Sequence, residues 1–475
     1  MARRIKRKFI KNILSVIVLL ISLLAIIQVL KLNVLPDKYL SLFLIGELAI
    51  FILAFILFNI RKKALIIIGL VLYVLISFGN LVGYYYINKV NGFINSSFSN
   101  DTYKIETDYY LVASKNNDIE DIENLKKNSE IDYYKYSRSI DKALKNLGKY
   151  KYSSVDTPID SMKKIKDTNN FLLITKANYD YLFENTKDDI LNKGDYKVIY
   201  EFKVIDYVKT NKATPDAYNI YINGLDFTGV MRDYNLIATV NTKTRKVILT
   251  SIPRDYYVDV PGYNMKDTLM CMGSLDPEVS KEALEKLFGI RIDYTINLNT
   301  SSLVDIVDAL GGVEFCSDMS FRTTHALVLN TYDDTKGKKL YVKKGCDTYN
   351  GIEMLTIARE RNAFPGRDRY RQKNCRQILI NIVKKLASTT TLTNYGEVMK
   401  SFEGLYTTDM NDKTIKQLVK VGLENTNFKI EEQSVDGTDK TGLGHLGTQE
   451  AAIMEPNMQT VYAASKKIKS VLNGK

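Results

Sequence analysis

The sequence lacks most of the signatures by which hydrolases and nucleotide-dependent enzymes are recognised. It has only two histidines, His325 and His445, so a Ser-His-Asp or Cys-His catalytic device has little support. It contains no His-Glu-x-x-His, no P-loop and no Gly-x-Gly-x-x-Gly motif. Proline is scarce, at 8 of 475 residues, and no internal repeat or low-complexity tract interrupts the chain. Any chemistry must therefore rest on carboxylates and arginines.

Cysteine is also scarce, and all four cysteines lie in the last two thirds of the chain: Cys271, Cys316, Cys346 and Cys375. The absence of a Cys-x-x-Cys spacing argues against a zinc site. Four cysteines allow three pairings. We predict a disulfide between Cys316 and Cys346, because it would staple the ends of one long insertion. The alternative is four reduced, buried thiols.

The first 90 residues differ from the rest in having long apolar runs, at 13–30, 39–60 and 64–87. Each run is about 18 residues or longer, which is enough to cross a bilayer as a helix. No small-x-small cleavage site follows the first run, so it is not a cleaved signal peptide. We therefore predict a cytoplasmic basic N-terminus (residues 1–12) and three transmembrane helices (residues 13–90).

The orientation of these helices follows from the basic residues that flank them. Six lysines and arginines precede the first run, and Arg61, Lys62 and Lys63 separate the second from the third. The link between the first and second runs has only Lys31 and Lys38. The N-terminus is therefore predicted inside and everything after about residue 90 outside the cell. The net charge of +12 requires an acidic partner, and this topology excludes nucleic acid.

The external part reads as two α/β domains. In the first, an accessory domain over residues 91–214, strands are predicted at 109–113, 171–175 and 196–202, with helices at 118–127 and 139–147. Pro215 marks the boundary. The second domain, residues 215–475, begins with a strand that ends at Asp226. A hairpin follows at 236–240 and 246–252, then helices at 277–288 and 303–310. Alternating strands and helices predict a layered α/β core.

An arginine cluster is the strongest chemical signal in this second domain. Its members are Arg359, Arg361, Arg367, Arg369, Arg371 and Arg376, and Arg254 stands apart at the end of a strand. Arginine binds phosphate oxygens as a rigid, permanently charged fork. The alternative is a solvated basic face or a set of structural ion pairs.

Two carboxylates complete the candidate site. Asp226 ends the first strand and Asp233 begins the next, so a short loop could bring both to one edge of the sheet. Oxygen ligands of this kind suit magnesium, with manganese as the alternative. A plain turn aspartate is the other interpretation of Asp226, and Asp255 is expected to pair with Arg254.

These segments resemble the LytR-CpsA-Psr family, and the layout of three spans, accessory domain and second domain resembles its capsule-type members. The segments that carry the resemblance are 223–226, 232–241, 249–255, 288–294, 308–313, 350–361 and 368–372. They follow one another in the family's order and cover roughly residues 216–390. The family usually has Ser-Arg or Thr-Arg soon after the first aspartate, whereas Phe227-Thr228-Gly229 stands here.

The resemblance implies a phosphotransferase that attaches a polyprenyl-pyrophosphate-linked anionic glycopolymer, such as capsule or teichoic acid, to peptidoglycan outside a Gram-positive cell. Asp226 and Asp233 would hold magnesium, and an apolar cleft would hold the prenyl tail. The pyrophosphate would be bound by Arg254, Arg359, Arg361, Arg371 and Lys266. Arg254, Asp233, Arg359 and Arg361 would be the catalytic residues.

Alternative functions use the same layout. A pyrophosphatase would act on the same lipid with water as the acceptor. A non-enzymatic membrane regulator needs a cytoplasmic output domain, and only a basic N-terminus and a short loop are available for one. Binding of the polymer without turnover is a further alternative. The sequence leaves open which polymer and which acceptor hydroxyl are used, the role of the accessory domain and the oligomeric state.

Overall fold

The computed structural model describes residues 2–98, 102–134, 139–155, 158–185, 191–209, 216–226, 231–261, 265–275, 277–329, 337–386, 405–423, 429–444 and 449–475. Pro215, where the sequence predicts a domain boundary, lies outside these residues. So do residues 227–229, where the sequence departs from the family pattern.

The helices are α1 Ala2–Leu32, α2 Asp37–Asn59, α3 Lys63–Phe98, α4 Ile140–Leu147, α5 Pro158–Lys166, α6 Lys176–Asn185, α7 Leu269–Leu275, α8 Pro277–Phe288, α9 Thr300–Ala309, α10 Gly351–Arg359, α11 Asp368–Leu386, α12 Asp412–Leu423 and α13 Met458–Leu472. The strands are β1 Thr102–Ser114, β2 Glu130–Tyr134, β3 Lys151–Val155, β4 Phe171–Thr175, β5 Tyr196–Lys209, β6 Ala217–Leu225, β7 Arg232–Asn241, β8 Lys246–Ile252, β9 Tyr257–Asp259, β10 Lys266–Thr268, β11 Tyr294–Leu298, β12 Val313–Ser317, β13 Phe321–Ala326, β14 Lys339–Val342, β15 Gly345–Tyr349, β16 Tyr406–Thr408, β17 Lys429–Ser434, β18 Gly437–Gly444 and β19 Gln449–Pro456.

The chain divides into two compact units, and the first consists of residues 1–100, 385–403 and 410–427. It holds three helical segments that are long and apolar enough to cross a membrane: Phe9–Leu32, Asp37–Asn59 and Lys63–Gly92. This confirms the three predicted spans. Polar side chains inside the bundle pair with one another, as a bilayer requires. The Asn80 amide donates to the Ser22 hydroxyl at 2.9 Å and to a Glu47 carboxylate oxygen at 3.2 Å.

The second unit, residues 101–384, 404–409 and 428–475, contains two larger sheets. The first has the order β3-β2-β4-β1-β5 and includes all of the strands predicted in the accessory domain. The helix predicted at 139–147 is confirmed as α4. The helix predicted at 118–127 is wrong, because only a 3-10 turn forms there, at Ile122–Asn124. Side-chain oxygens of Asn117 and Asp121 accept backbone N–H groups two residues on, which favours turns over a helix.

The second sheet has the order β16-β11-β6-β7-β8-β17. Strands β6, β7 and β8 run antiparallel, while β11 joins β6 and β17 joins β8 in parallel. The predicted hairpin is confirmed, although β7 is longer than its prediction. Arg245, with a φ of 54°, makes the left-handed turn between β7 and β8.

Helices cover both faces of this sheet. Buried residues of α8 and α13, such as Leu284 and Ile468, form one core with Tyr221 and Ile237 of the sheet. On the other face, the Arg376 guanidinium of α11 donates to the Ser251 hydroxyl of β8 at 2.7 Å. The layered α/β architecture that the sequence predicts is therefore confirmed.

Glycines end the two predicted helices of this domain. Gly289 follows α8 with a φ of 57°, in the left-handed region that glycine occupies without strain. Beyond α9, Gly312 has a φ of 91°, and a Cβ added there would lie 2.8 Å from the Thr348 side chain. No other residue fits at that position. Asp276, before α8, lies outside the described residues.

A disulfide-closed insertion projects from this domain. Strands β12 and β15 pair in antiparallel register, with Cys316 opposite Cys346. The two cysteines form a disulfide, which confirms the predicted pairing, and Cys271 and Cys375 are free thiols. Strands β13 and β14 pair between them. We call residues 317–329 and 337–345 the stapled hairpin.

Candidate active site

The predicted aspartates and Arg254 lie at one edge of the six-stranded sheet. Because β7 runs antiparallel to β6 and β8, its beginning meets the ends of both neighbours. Asp226 directly follows β6, and Arg254 follows β8 after one intervening proline. Asp233 is the extra residue of a bulge, since Arg232 pairs with Leu225 and Tyr234 with Gly224. Bulges redirect side chains at the rims of sheets, and this one turns Asp233 toward Arg254.

Arg254 and Asp233 form the central ion pair of the site. The Arg254 Nη1 lies 2.6 Å from Asp233 Oδ1, and its Nε lies 3.5 Å from Asp255 Oδ1. The Arg254 side chain is only 17% exposed. Burial alone would raise the pKa of Asp233, but Arg254 and Arg371 lower it below its usual value. The carboxylate is therefore held ionised, and the expected pairing of Asp255 with Arg254 is confirmed.

The first turn of α11 brings a second arginine to this pair. Arg371 is buried, and its Nη2 donates to the backbone oxygen of Asp233 at 2.7 Å. Its Nε donates to Asp368 Oδ1 at 2.8 Å, and the Gln372 amide donates to the other Asp368 oxygen at 2.8 Å. Burial would raise the pKa of Asp368, but Arg371 and Arg254 lower it. The guanidinium of Arg371 is thus held by two acceptors, the Asp233 backbone oxygen and Asp368 Oδ1, and Gln372 in turn orients the Asp368 carboxylate.

Arg361 is the third arginine of the cluster and differs from the other two. It is half-buried, and burial together with the charges of Arg254 and Arg371 lowers the pKa of its guanidinium. Within the part of the chain that the structure describes, its guanidinium makes no hydrogen bond or ion pair. The Arg361 guanidinium thus lies near the charges of Arg254 and Arg371, and no carboxylate among the described residues contacts it. It is therefore available to bind an anionic ligand.

Two of the predicted pyrophosphate-binding residues point elsewhere. The Arg359 guanidinium donates to the backbone oxygens of Val328 and Leu329, at 3.3 and 3.0 Å, in the stapled hairpin. Lys266 is exposed on β10, near Glu455, whose pKa is lowered mainly by the hydrogen bond and charge of Lys440 and to a smaller extent by Lys266. Among the described residues no hydrogen bond or ion pair joins Lys266 to the arginine cluster.

The donor chemistry of Asp226 and Asp233 fits a hard cation. Asp226 is held at the strand end by two backbone bonds: its N–H donates to the Met231 oxygen at 2.8 Å, and its Oδ1 accepts the Met231 N–H at 3.1 Å. Magnesium in phosphate-binding enzymes is held by one or two carboxylates and by the substrate's own phosphate oxygens. The other group of potential ligands among the described residues, Glu314 with Cys316 and Cys346, has both its sulfurs in the disulfide.

The structure adds one carboxylate, that of Asp368, which the sequence did not single out, and it pairs two further members of the arginine cluster with acidic residues elsewhere. Asp368 could have been found from its spacing, because a residue three positions before Arg371 at a helix start lies on the same face. Arg369 instead contacts Asp436 at 2.7 Å, and Arg376 contacts Glu432 at 2.7 Å. For these two, the interpretation as structural ion pairs is correct.

Comparisons with known proteins fit this geometry. The LytR_cpsA_psr family model matches residues 181–467. A polyisoprenyl-teichoic acid–peptidoglycan teichoic acid transferase, TagU of Bacillus cereus, is 31% identical over 202 residues, which are 41% of this chain and 60% of that protein. The protein of the same name from Enterococcus faecalis is 26% identical over 43% of this chain and 63% of its own length. The chain thus spans less than two thirds of the length of these relatives.

Among solved structures, the crystal structure of B. subtilis TagV is 21% identical, with a TM-score of 0.46. The likeness covers 54% of this chain and 98% of that one, and at such a TM-score it supports no further conclusion.

Proposed function

The chain belongs to the LytR-CpsA-Psr family, and from that membership we propose that it transfers a polyprenyl-pyrophosphate-linked anionic glycopolymer to peptidoglycan. Two relatives that carry the name of teichoic acid transferase support the substrate class. The candidate membrane spans support a site of action at the membrane, where such a lipid is found. With the N-terminus in the cytoplasm, the second unit works outside the cell, where peptidoglycan is also in reach.

The convergence of Arg254, Arg361 and Arg371 is the observation that carries this proposal. Residues more than a hundred positions apart in the sequence meet at one sheet edge, and two of the guanidiniums are anchored by carboxylates. The third, Arg361, has no such anchor among the residues that the structure describes. Arginine forks match phosphate oxygens in pairs, and phosphoryl transfer depends on positioning and charge neutralisation. Over the described ranges, the arginine cluster offers both without a histidine or a covalent nucleophile.

The charge balance of the cluster favours a divalent cation as part of the active site. Three arginines face the carboxylates of Asp233, Asp255 and Asp368, and Asp226 adds a fourth carboxylate at the same sheet edge, so the site has a slight excess of formal negative charge before substrate binds. A doubly esterified pyrophosphate adds about two negative charges, which a divalent cation would offset. We propose that Asp226 and Asp233 hold magnesium, with manganese as the alternative, and that the ion neutralises charge on the pyrophosphate.

The proposed reaction exchanges the phosphoanhydride bond of the pyrophosphate for a phosphate ester bond to the acceptor. The acceptor hydroxyl oxygen attacks the phosphorus that carries the glycan, and the bond from that phosphorus to the bridging oxygen breaks. Polyprenyl phosphate leaves, and the hydroxyl proton is released. Arg361 and Arg371 bind the phosphate oxygens, and Arg254 keeps the Asp233 carboxylate in position. Because the guanidiniums are oriented before substrate arrives, they need little reorganisation in the transition state.

The proposal is tested with the full chain in detergent, a polyprenyl-pyrophosphoryl disaccharide, peptidoglycan oligomers and magnesium. Mass spectrometry would detect a glycan joined to peptidoglycan by a phosphodiester. Arg361→Ala is expected to lower the yield about a hundredfold, the usual cost of losing one preorganised donor. Arg369→Ala is the matched control, because that arginine contacts Asp436 and not the cluster. Loss of lipid without any peptidoglycan adduct would instead identify a pyrophosphatase.

Metal removal is the companion test. Chelation should abolish the adduct, and added magnesium or manganese should restore it. Asp226→Asn should raise the magnesium concentration required, since it removes one of two anionic ligands. Full activity in the presence of chelator would exclude the cation from the mechanism.

A further inference from the structure

The stapled hairpin is anchored to the segment that carries the active-site arginines. Glu360 is fully buried at the end of α10 and accepts hydrogen bonds from the Thr324 hydroxyl, at 3.1 Å to each oxygen. Next to it, Arg359 binds the carbonyls of Val328 and Leu329. Residues 359 and 360 are thus fixed to the hairpin, and Arg361 follows them directly. The hairpin therefore lies beside the proposed pyrophosphate site.

The hairpin is also rigid at its base. The disulfide of Cys316 with Cys346 closes the insertion, and the rings of Phe321 and Phe364 pack with centroids 4.7 Å apart. A surface held in one conformation loses little entropy when it binds a partner. The hairpin thus has the character of a preformed binding element.

The two faces of the hairpin differ. In the β13–β14 register, Phe321 lies opposite Val342, and both are buried. The next pair, Arg322 opposite Tyr341, is exposed, as strand alternation requires. Tyr341 is 52% exposed, and the Arg322 guanidinium lies 5.9 Å from its ring centre. An aromatic ring and a cation therefore stand side by side on the outward face.

Basic residues dominate the rest of the hairpin: Lys338, Lys339, Lys343 and Lys344. Among its described residues the only acidic side chain is Asp318, which is ion-paired with Lys373 of α11. Lys338 and Lys343 are exposed, and Lys343 stands two residues beyond Tyr341. Among the described residues, the outward face therefore combines exposed positive charge with an exposed ring.

We infer that this outward face binds the phosphate-bearing sugar chain of the donor polymer. The inference rests on the proposed function, because the polymer extends from the pyrophosphate that the arginine cluster would hold. Cations pair with the phosphates of such a chain, and a tyrosine ring offers a flat apolar surface to a sugar or polyol unit. A neutral glycan could pack on the Tyr341 ring but would form no ion pairs with the basic residues of this face. The face therefore selects an anionic polymer over a neutral one.

The test measures binding of soluble poly(glycerol phosphate), released from its lipid, to the full chain in detergent. The double variant Tyr341→Ala/Lys343→Gln is expected to raise the Kd about tenfold, the combined loss of an exposed cation–ring contact and one charge. Tyr341→Phe keeps the ring and should bind like the wild type, which separates loss of the surface from misfolding. The matched control is Tyr207→Ala/Lys127→Gln, because Tyr207 is 65% exposed on a different sheet.

Three results would overturn the inference. The double variant could bind the polymer as tightly as the wild type, as expected of a merely solvated basic face. The wild type could bind neutral dextran equally well. Peptidoglycan oligomers could bind in a Tyr341-dependent way while poly(glycerol phosphate) does not, which would assign the face to the acceptor. Each ligand is measured by itself and no lipid pyrophosphate is present, so no transfer can take place and the outcome does not depend on whether the chain is a transferase.

Discussion

Replacement of Arg254 by alanine separates catalytic from structural effects most directly. The substitution removes the guanidinium that lies 2.6 Å from Asp233 and leaves that carboxylate with Arg371 at 4.0 Å. We expect kcat for transfer to fall by roughly a hundred- to a thousandfold, the usual effect of losing one preorganised charged group. Because Asp233 is 36% exposed and keeps a second arginine nearby, the free energy of unfolding should fall by only about 1–2 kcal/mol.

The assay follows the phosphodiester adduct with the full chain well below its unfolding temperature, so that the modest loss of stability does not affect the rate. Arg254→Lys should retain more activity than the alanine variant, yet fall about tenfold below the wild type. Its single ammonium cannot contact Asp233 and Asp255 with the geometry of the guanidinium fork.

Arg376→Ala is the matched control for this experiment. Arg376 is a comparably buried arginine that contacts Glu432 and Ser251 instead of the cluster. It should lower the free energy of unfolding and leave transfer nearly intact. If Arg254→Ala and Arg376→Ala reduced transfer equally, or if Arg254→Ala reduced it less than about threefold, preorganisation by the Arg254–Asp233 pair would be refuted.

Three further predictions concern stability and thiol chemistry. Burial raises the pKa of Asp409 to about 6, so the folded state holds this proton more tightly than the unfolded chain, and stability falls as the pH rises from about 4 to about 6. Asp409→Asn should reduce this pH-dependent loss of unfolding free energy by about 2 kcal/mol. If urea unfolding of the wild type and the variant changed in parallel with pH, Asp409 would not be the group that titrates. Cys271 is buried and Cys375 is partly buried, and desolvation raises the pKa of Cys375 to about 11, so maleimide at pH 8 should label neither thiol in the native protein and both in urea. Replacing Cys316 and Cys346 together with serine should cost about 3 kcal/mol of unfolding free energy, from the 30-residue separation that the disulfide closes. If the double serine variant had the urea midpoint of the wild type, loss of the disulfide would not increase the conformational entropy of the unfolded chain.

The sequence predicts the framework of the site well because its signals are local. Each strand end next to Asp226, Asp233 and Arg254 is marked by hydrophobic alternation interrupted by turn residues or proline. The hairpin of β7 and β8 then follows from chain continuity, and it brings Asp233 and Arg254 to the same edge. The ion pair between them is a direct consequence of antiparallel pairing.

Sequence reasoning fails where side-chain direction decides. Arg359 and Arg361 are two residues apart, but α10 ends at Arg359. Glu360, which lies between them, is buried and accepts a hydrogen bond from Thr324 of the stapled hairpin. Arg359 therefore binds hairpin carbonyls while Arg361 joins the cluster. Likewise Arg369 and Arg371, two positions apart in α11, lie about 200° apart around a helix and reach different partners.

The sequence by itself determined the candidate membrane spans, the α/β class and the family, because each depends on long apolar runs, on periodicity or on motifs in a set order, whereas the predicted disulfide was one of three pairings and needed the structure to decide it. Only the tertiary structure decided which arginines meet, that Asp368 completes their support and that Lys266 lies apart. Those outcomes depend on helix phase and on contacts between residues more than a hundred positions apart. No local pattern encodes such distances, since they are set by how the sheet, α11 and the stapled hairpin pack together.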